Sequence, residues 1–203
     1  MTGPKLLAPI LITLAVCLSA GSTAAQSALE RHIGPIAAVV ELGQSDAWTT
    51  AADGNWFTMT NGGDIGAIRY YWANLRAAEG RDFALAANLF TQATQGDLSH
   101  AGLVFHYRAA DRYLAVTIAS DRAAYLFVRS PEDGVQVNRI KENVARLDGS
   151  DRLEIAVSGN MAAAVLNGEQ LFSAEIGGTG PTRNLGVFAA GSGQAAFTNM
   201  ALR

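Results

Sequence analysis

The sequence predicts an all-β protein, a β-sandwich or barrel, behind a secretory leader. Three observations carry that reading. About eleven short segments alternate apolar and polar residues, the period at which successive side chains leave opposite faces of a strand. Gly, Asn, Asp and Pro break the alternation about every 8–12 residues, the turn spacing of sandwiches and barrels. Sustained helical periodicity is hard to find, and no segment recurs at a fixed period, which argues against a propeller or solenoid.

The leader comes first. Lys5 supplies a positive n-region, "LLAPILITLAVCLSA" an apolar h-region, and "GSTAAQS" a block of small residues suited to cleavage after Ala25. Ser19, Gly21, Ser22 and Thr23 break the apolar run short of the ~20 residues a transmembrane helix needs. No stable membrane anchor is therefore expected after cleavage, and residues 1–25 read as a signal peptide for export to the periplasm or beyond. Cys17 raises the alternative of a lipoprotein site, but bulky Val16 stands where such a site wants a small residue. Residues 26–45 read as a leader or first edge segment, with "SALERHIGP" (27–35) a short helix or a loose stretch. Residues 46–203 form the one domain.

Within that domain, "NWFTMTN" (55–61) and "AIRYYWA" (67–73) are strands separated by "GGDIG". "DFALAANLF" (82–90) sets Phe83, Leu85, Ala87 and Leu89 on one face. "GLVFHYR" (102–108) sets Leu103, Phe105 and Tyr107 against Val104, His106 and Arg108. "RYLAVTIA" (112–119) follows the turn "AAD", and "AAYLFVR" (123–129) is joined through "SPEDG" to "VQVNRI" (135–140). Residues 141–151 read as a loop or a brief helix. A meander then runs from "RLEIAV" through two turns, and "LGVFAA" and "QAAFTNMAL" close the chain. The strongest local signal lies in "AAAVLNGEQLFSAEI" (162–176). Asn167-Gly168 between two apolar runs marks a type I′ turn, whose central residues both need φ > 0.

Cys17 is the only cysteine, so the 178 residues after position 25 hold no thiol, disulfide or thiolate-bound metal. Stability must come from a packed core, and a chain of this length can bury one. Loss of Lys5 leaves 14 basic and 18 acidic residues, a mature charge of −4. The charges are unclustered, and without a basic stripe no nucleic-acid partner is expected.

The train "WTTAADGNWFTMTN", "RYYW", "DFALAANLF", "HAGLVFHYRAADRYLAVTI", "RLEIAVSGNMAAAVLNGEQLF", "LGVFAAG" and "AAFTNMAL" resembles the concanavalin A-like lectin/glucanase superfamily. It is most similar to the laminin-G-like and 3-keto-disaccharide-hydrolase-type domains, over residues 46–203. The resemblance implies an all-β fold, an antiparallel two-sheet jelly-roll β-sandwich. It also implies that sugars, where they bind, lie on the outward face of the more curved sheet. Enzymes, lectins and scaffolds share that fold, so activity must be argued from the site.

Retaining glycosidases hold two carboxylates about 5–5.5 Å apart, which the superfamily's glucanases place on one strand as "ExDxxE". That pattern is missing. Glu79 and Asp82 fall in a loop, Glu132 and Asp133 in a turn, and Glu154 stands alone on a strand. No G-x-S-x-G or H-E-x-x-H occurs, and His32, His100 and His106 are well separated, with only His106 in a clear strand. Neither catalytic nor metal-ligating residues are expected. Loop residues Asp46, Asp53, Asp64 and Asp97 leave calcium as the one cation to consider, though they lack a dense cluster; otherwise no cofactor is expected.

Aromatic and basic residues are the more suggestive set. Alternation in "RYYW" puts Tyr70 and Trp72 on one face and Arg69 and Tyr71 on the other, and only one pair can be core. The expected ligand-binding residues are Arg69, Tyr71, His106, Arg108 and Tyr113, since rings beside guanidinium groups stack on sugars or anchor proteins. Trp48 and Trp56 read as core or edge-covering residues. The expected function is a non-catalytic module that binds a glycan or an envelope protein. The alternatives are a 3-keto-disaccharide-type glycoside hydrolase and a structural domain of an envelope assembly.

Overall fold

The computed structural model describes residues 31–32, 44–45, 47–63, 66–73, 82–94, 97–109, 111–147, 149–176 and 184–203. The signal peptide and cleavage site expected from the sequence lie outside these residues. Among the described residues every regular element is a strand: β1 (Arg31–His32), β2 (Gln44–Ser45), β3 (Trp48–Asp53), β4 (Trp56–Asn61), β5 (Ile68–Ala73), β6 (Phe83–Ala93), β7 (Ser99–Ala109), β8 (Arg112–Ala119), β9 (Ala124–Ser130), β10 (Gly134–Lys141), β11 (Asp151–Ser158), β12 (Met161–Leu166), β13 (Glu169–Glu175), β14 (Asn184–Gly191) and β15 (Gly193–Leu202). They form two antiparallel sheets. The larger has nine strands, in the order β13-β12-β11-β6-β15-β4-β3-β2 with β1 alongside β15, and the smaller has six, in the order β10-β9-β8-β7-β14-β5.

The segment before residue 46 takes part in the larger sheet. Arg31 and His32 pair with Leu202 and Ala201, and Gln44 and Ser45 pair with Thr49 and Trp48. Extended backbone at Arg31–His32 replaces the helix considered for residues 27–35 at that point.

Period-two alternation builds the core. Phe83, Leu85, Ala87 and Leu89 of β6 are all buried, as are Leu153, Ile155 and Val157 of β11 and Ala162, Ala164 and Leu166 of β12. They meet Leu103 and Phe105 of β7, Val116 and Ile118 of β8, and Leu185 and Val187 of β14 in one cluster between the sheets. Each large side chain so buried contributes roughly 1.5–3 kcal/mol, and this packing does the work that disulfides do in small disulfide-rich domains. Trp48 belongs to the same core, whereas Trp56 is only half-buried.

Asn167 and Gly168 form the tight turn between β12 and β13, with Leu166 paired to Glu169 and φ of 52° and 87° at the two central residues. Asn167 does more than turn the chain. Its Oδ1 accepts from the Arg152 amide at 2.9 Å and its Nδ2 donates to Asp151 Oδ1 at 2.6 Å, fastening the turn to the start of β11. No atom lies within 4 Å of where a Cβ on Gly168 would sit, so a side chain there meets only the backbone cost of a left-handed φ. Gly168→Val is expected to cost about 1–3 kcal/mol, read as a thermal midpoint several degrees lower. An unchanged midpoint would show that the hairpin tolerates another turn.

The smaller sheet is apolar on both faces. Leu103, Phe105, Val116, Ala124, Val187 and Ala189 point into the inter-sheet core. Their alternates Val104, Ala115, Tyr125, Phe127, Phe188 and Ala190 form a second buried cluster, with Tyr113, on the outward side. Antiparallel sheets commonly present a polar face to water, so this outward face marks the region to examine.

Candidate functional site

The outward face is floored by aromatic rings lying over small residues. Phe127 of β9 and Phe188 of β14 are separated by two strands, yet their ring centroids are 4.9 Å apart. They can meet because their partners on the intervening strands are Ala115 and Gly102, which leave the space above the backbone open. Tyr113 packs edge-on against Tyr70 at 5.6 Å and tilted against Phe188 at 6.0 Å. Above this floor opens a cleft of about 780 Å³, lined by Tyr70, Tyr113, Phe127, His100, Arg129 and Asp97 together with Ile68, Leu98, Val135 and Val137. That volume and mix of rings with a few polar groups suit a small-molecule or oligosaccharide site. Leu98 and Val137 stand exposed.

Two polar features border the floor. His100 is buried, its Nδ1 3.2 Å from Thr117 Oγ1, with its ring edge-on to Tyr125 and Phe127 at 4.9 and 5.2 Å. Burial drives its pKa down to about 4, against the opposing pull of the Asp121 carboxylate. The imidazole is therefore neutral at physiological pH and acts as a hydrogen-bonding aromatic rather than a cation.

The second feature is a charged cluster beside Tyr125. Asp121 Oδ2 accepts from the Tyr125 hydroxyl at 2.7 Å and from Arg139 Nη2 at 2.6 Å, and Oδ1 accepts from the Ala123 amide at 3.0 Å. Arg139 lies over the Tyr125 ring, 5.3 Å from its centroid, and also reaches Glu142 at 2.9 Å. Burial works against the Asp121 charge, but these hydrogen bonds and the neighbouring Arg139 hold its carboxyl below the usual range. Tyr125 is pushed up, first by burial and then by the hydrogen bond to Asp121. Each charge in the cluster is answered within it.

Of the residues expected from sequence, Tyr113 lines the cleft. Arg69 was expected on the outward face, but its register sets it opposite Ala189, whose side chain points into the core, and the Tyr71 backbone pairs with Val187. Tyr70 pairs with Phe188 of the outward cluster instead. His106 is buried at an irregularity in β7, with φ of 49°, and is not among the cleft-lining residues. The side chains of Tyr71 and Arg108 lie outside the described residues. His100, read as standing outside any clear strand, is the second residue of β7. Asp46 and Asp64 lie outside the described residues, and among those described no three His, Cys, Asp or Glu side chains come together.

Sequence reasoning missed Tyr70, His100, Phe127 and Arg129. A signal for two of them was present: in "YLFVR", Tyr125, Phe127 and Arg129 alternate, so two rings and a guanidinium share one strand face.

No protein-family model matches the chain, and no curated protein does. Solved structures share its fold. The carbohydrate-binding module CBM66 from Bacillus subtilis matches with a TM-score of 0.56 at 15% identity, over 76% of this chain and 93% of that one. A sialidase matches at 0.58 with 8% identity, over 81% of this chain and 16% of its own length. A Bacillus subtilis protein of unknown function with a galectin-like fold matches at 0.53 with 11% identity, over 77% and 86%. The architecture is thus a jelly-roll β-sandwich of the concanavalin A-like and galectin-like kind.

Proposed function

We propose that this chain is an exported, non-catalytic glycan-binding module whose ligand lies in the cleft over the six-stranded sheet. The observation that carries the reading is that cleft, where half-buried Tyr70 offers ring surface above the buried rings of Tyr113 and Phe127, beside His100, Arg129 and Asp97. A pyranose has apolar C–H faces and polar edges, and such a surface answers both. Likeness to a carbohydrate-binding module supports the reading, as does the leader sequence for export. Asp97 is the one carboxylate among the described residues that line the cleft, and it accepts a hydrogen bond from Ser192 Oγ at 3.1 Å. Glycoside cleavage by the usual route asks for two carboxylates facing one bond.

A glycan array probed with the purified protein, with hydrolysis of the same glycans followed alongside, tests this directly. Binding without turnover is expected. Tyr70 is only half-buried, so Tyr70→Ala should fold while binding roughly tenfold more weakly, the loss of one aromatic contact. Turnover of a bound glycan would establish a hydrolase instead, and an array without binding would defeat both readings.

A further inference from the structure

Arg129 is the one arginine among the described residues that line the cleft, and none of those residues pairs with its charge. It sits on β9 between its register partners Tyr113 of β8 and Val135 of β10, an aromatic ring on one side and an aliphatic side chain on the other. Its Nε is buried with no hydrogen-bond partner, and no described carboxylate pairs with the guanidinium. A buried donor on a charged group left unsatisfied is costly, and a sequence that gains nothing from it would be expected to place a neutral side chain there. The contrast with Arg139 is direct, since that guanidinium has Asp121, Tyr125 and Glu142 around it.

We infer that the ligand itself supplies the missing anion: the cleft takes an acidic glycan, with a sugar carboxylate or sulfate docked on the Arg129 fork while the ring of that sugar lies along the cleft, whose floor the buried Tyr113 and Phe127 support. This rests on the glycan-binding reading above and specifies its ligand class. The planar guanidinium presents parallel N–H donors that match two oxyanion oxygens at once, which a hydroxyl cannot do. Among the described lining residues nothing else competes for that role, because His100 is an uncharged partner and Asp97 would repel an anion. The fixed cation stands in a chain of net charge −3, which disfavours indiscriminate polyanion binding. Affinity for an acidic glycan would thus report the cleft and not the surface.

The test measures affinity of the full chain for acidic polysaccharides beside neutral counterparts. Polygalacturonate is compared with its methyl ester, and dextran sulfate with dextran. The acidic member of at least one pair is expected to bind at least about tenfold more tightly, the worth of a charge-assisted hydrogen bond. Preference for polygalacturonate assigns a carboxylate, and preference for dextran sulfate assigns a sulfate. Arg129→Gln should erase the preference, and Arg129→Lys should restore only part of it because the fork is lost. Equal binding of acidic and neutral members, unchanged in Arg129→Gln, would overturn the anion assignment while leaving the glycan reading standing. Absence of binding to all four polysaccharides, in a protein that binds a neutral glycan on the array, would overturn the assignment as well.

Discussion

Gly102→Ala should severely destabilise the six-stranded sheet for a single-methyl change, costing at least about 4 kcal/mol of stability. Gly102 lies mid-way along β7, paired with Thr117 of β8 and Phe188 of β14. A Cβ built there would fall 2.0 Å from the Val116 carbonyl oxygen and 2.6 Å from the Thr117 Cα. Both are backbone atoms of the adjoining strand, so no rotamer change relieves the contact. Relief requires β7 and β8 to move apart, and their hydrogen bonds sit in the middle of the sheet, flanked by β9 and β14. For a chain of this size the cost corresponds to a thermal midpoint lower by about 8–16 °C. Circular dichroism through the melt measures it. A shift under about 3 °C would show that the strands can separate without breaking their pairing.

The way that glycine escapes notice explains how much of this molecule is legible from sequence. Alternation identifies strands where large apolar residues share one face, and β6 has that pattern, with Phe83, Leu85, Ala87 and Leu89 all buried. Those inward residues are readable as a set, and so is the Asn167-Gly168 turn, because both depend on neighbours in the chain. The six-stranded sheet is different, since both of its faces are apolar. In "RYYW" and "LGVFAA" a one-residue change of register exchanges core and outward face without breaking any pattern. What decides it is the pairing of Tyr70 with Phe188 and of Tyr71 with Val187, contacts across more than a hundred residues. His106 departs from the alternation for a local reason. The positive φ there coincides with the register shift in β7, and the residue is buried away from the cleft lining. In "SHAGLVF" the small residues have weak strand preference, which hid the strand position of His100. That Gly102 has a backbone rather than open space beside it cannot be seen until β8 is in place.

His100 provides the second large effect, and its sign follows from its burial. The folded imidazole has a pKa of about 4, against 6.5 for the unfolded chain. Between those values the unfolded state binds more protons than the folded state, so stability rises with pH across that window. The contribution is complete above pH 6.5 and is lost as pH falls toward 4. From pH 7 to pH 4.5 the loss should be about 2–3 kcal/mol, taking 1.36 kcal/mol per pKa unit. Asp121, also held low, would contribute in a separate window, because stabilisation by a carboxylate of depressed pKa persists above its ordinary 3.8 and fades only below it. His100→Gln is the informative variant, since an amide can still reach Thr117 Oγ1 and has no proton to gain. It should begin less stable at pH 7 by roughly 1–2 kcal/mol for the lost ring contacts with Tyr125 and Phe127. Its stability should then stay nearly level down to pH 4.5, where the wild-type curve drops. Urea midpoints for the two proteins at pH 7.0, 5.5 and 4.5 measure the difference in slope. Parallel curves would mean that His100 is as solvated in the folded chain as in the unfolded one, and the floor of the cleft would then be open to water beneath its aromatic rings.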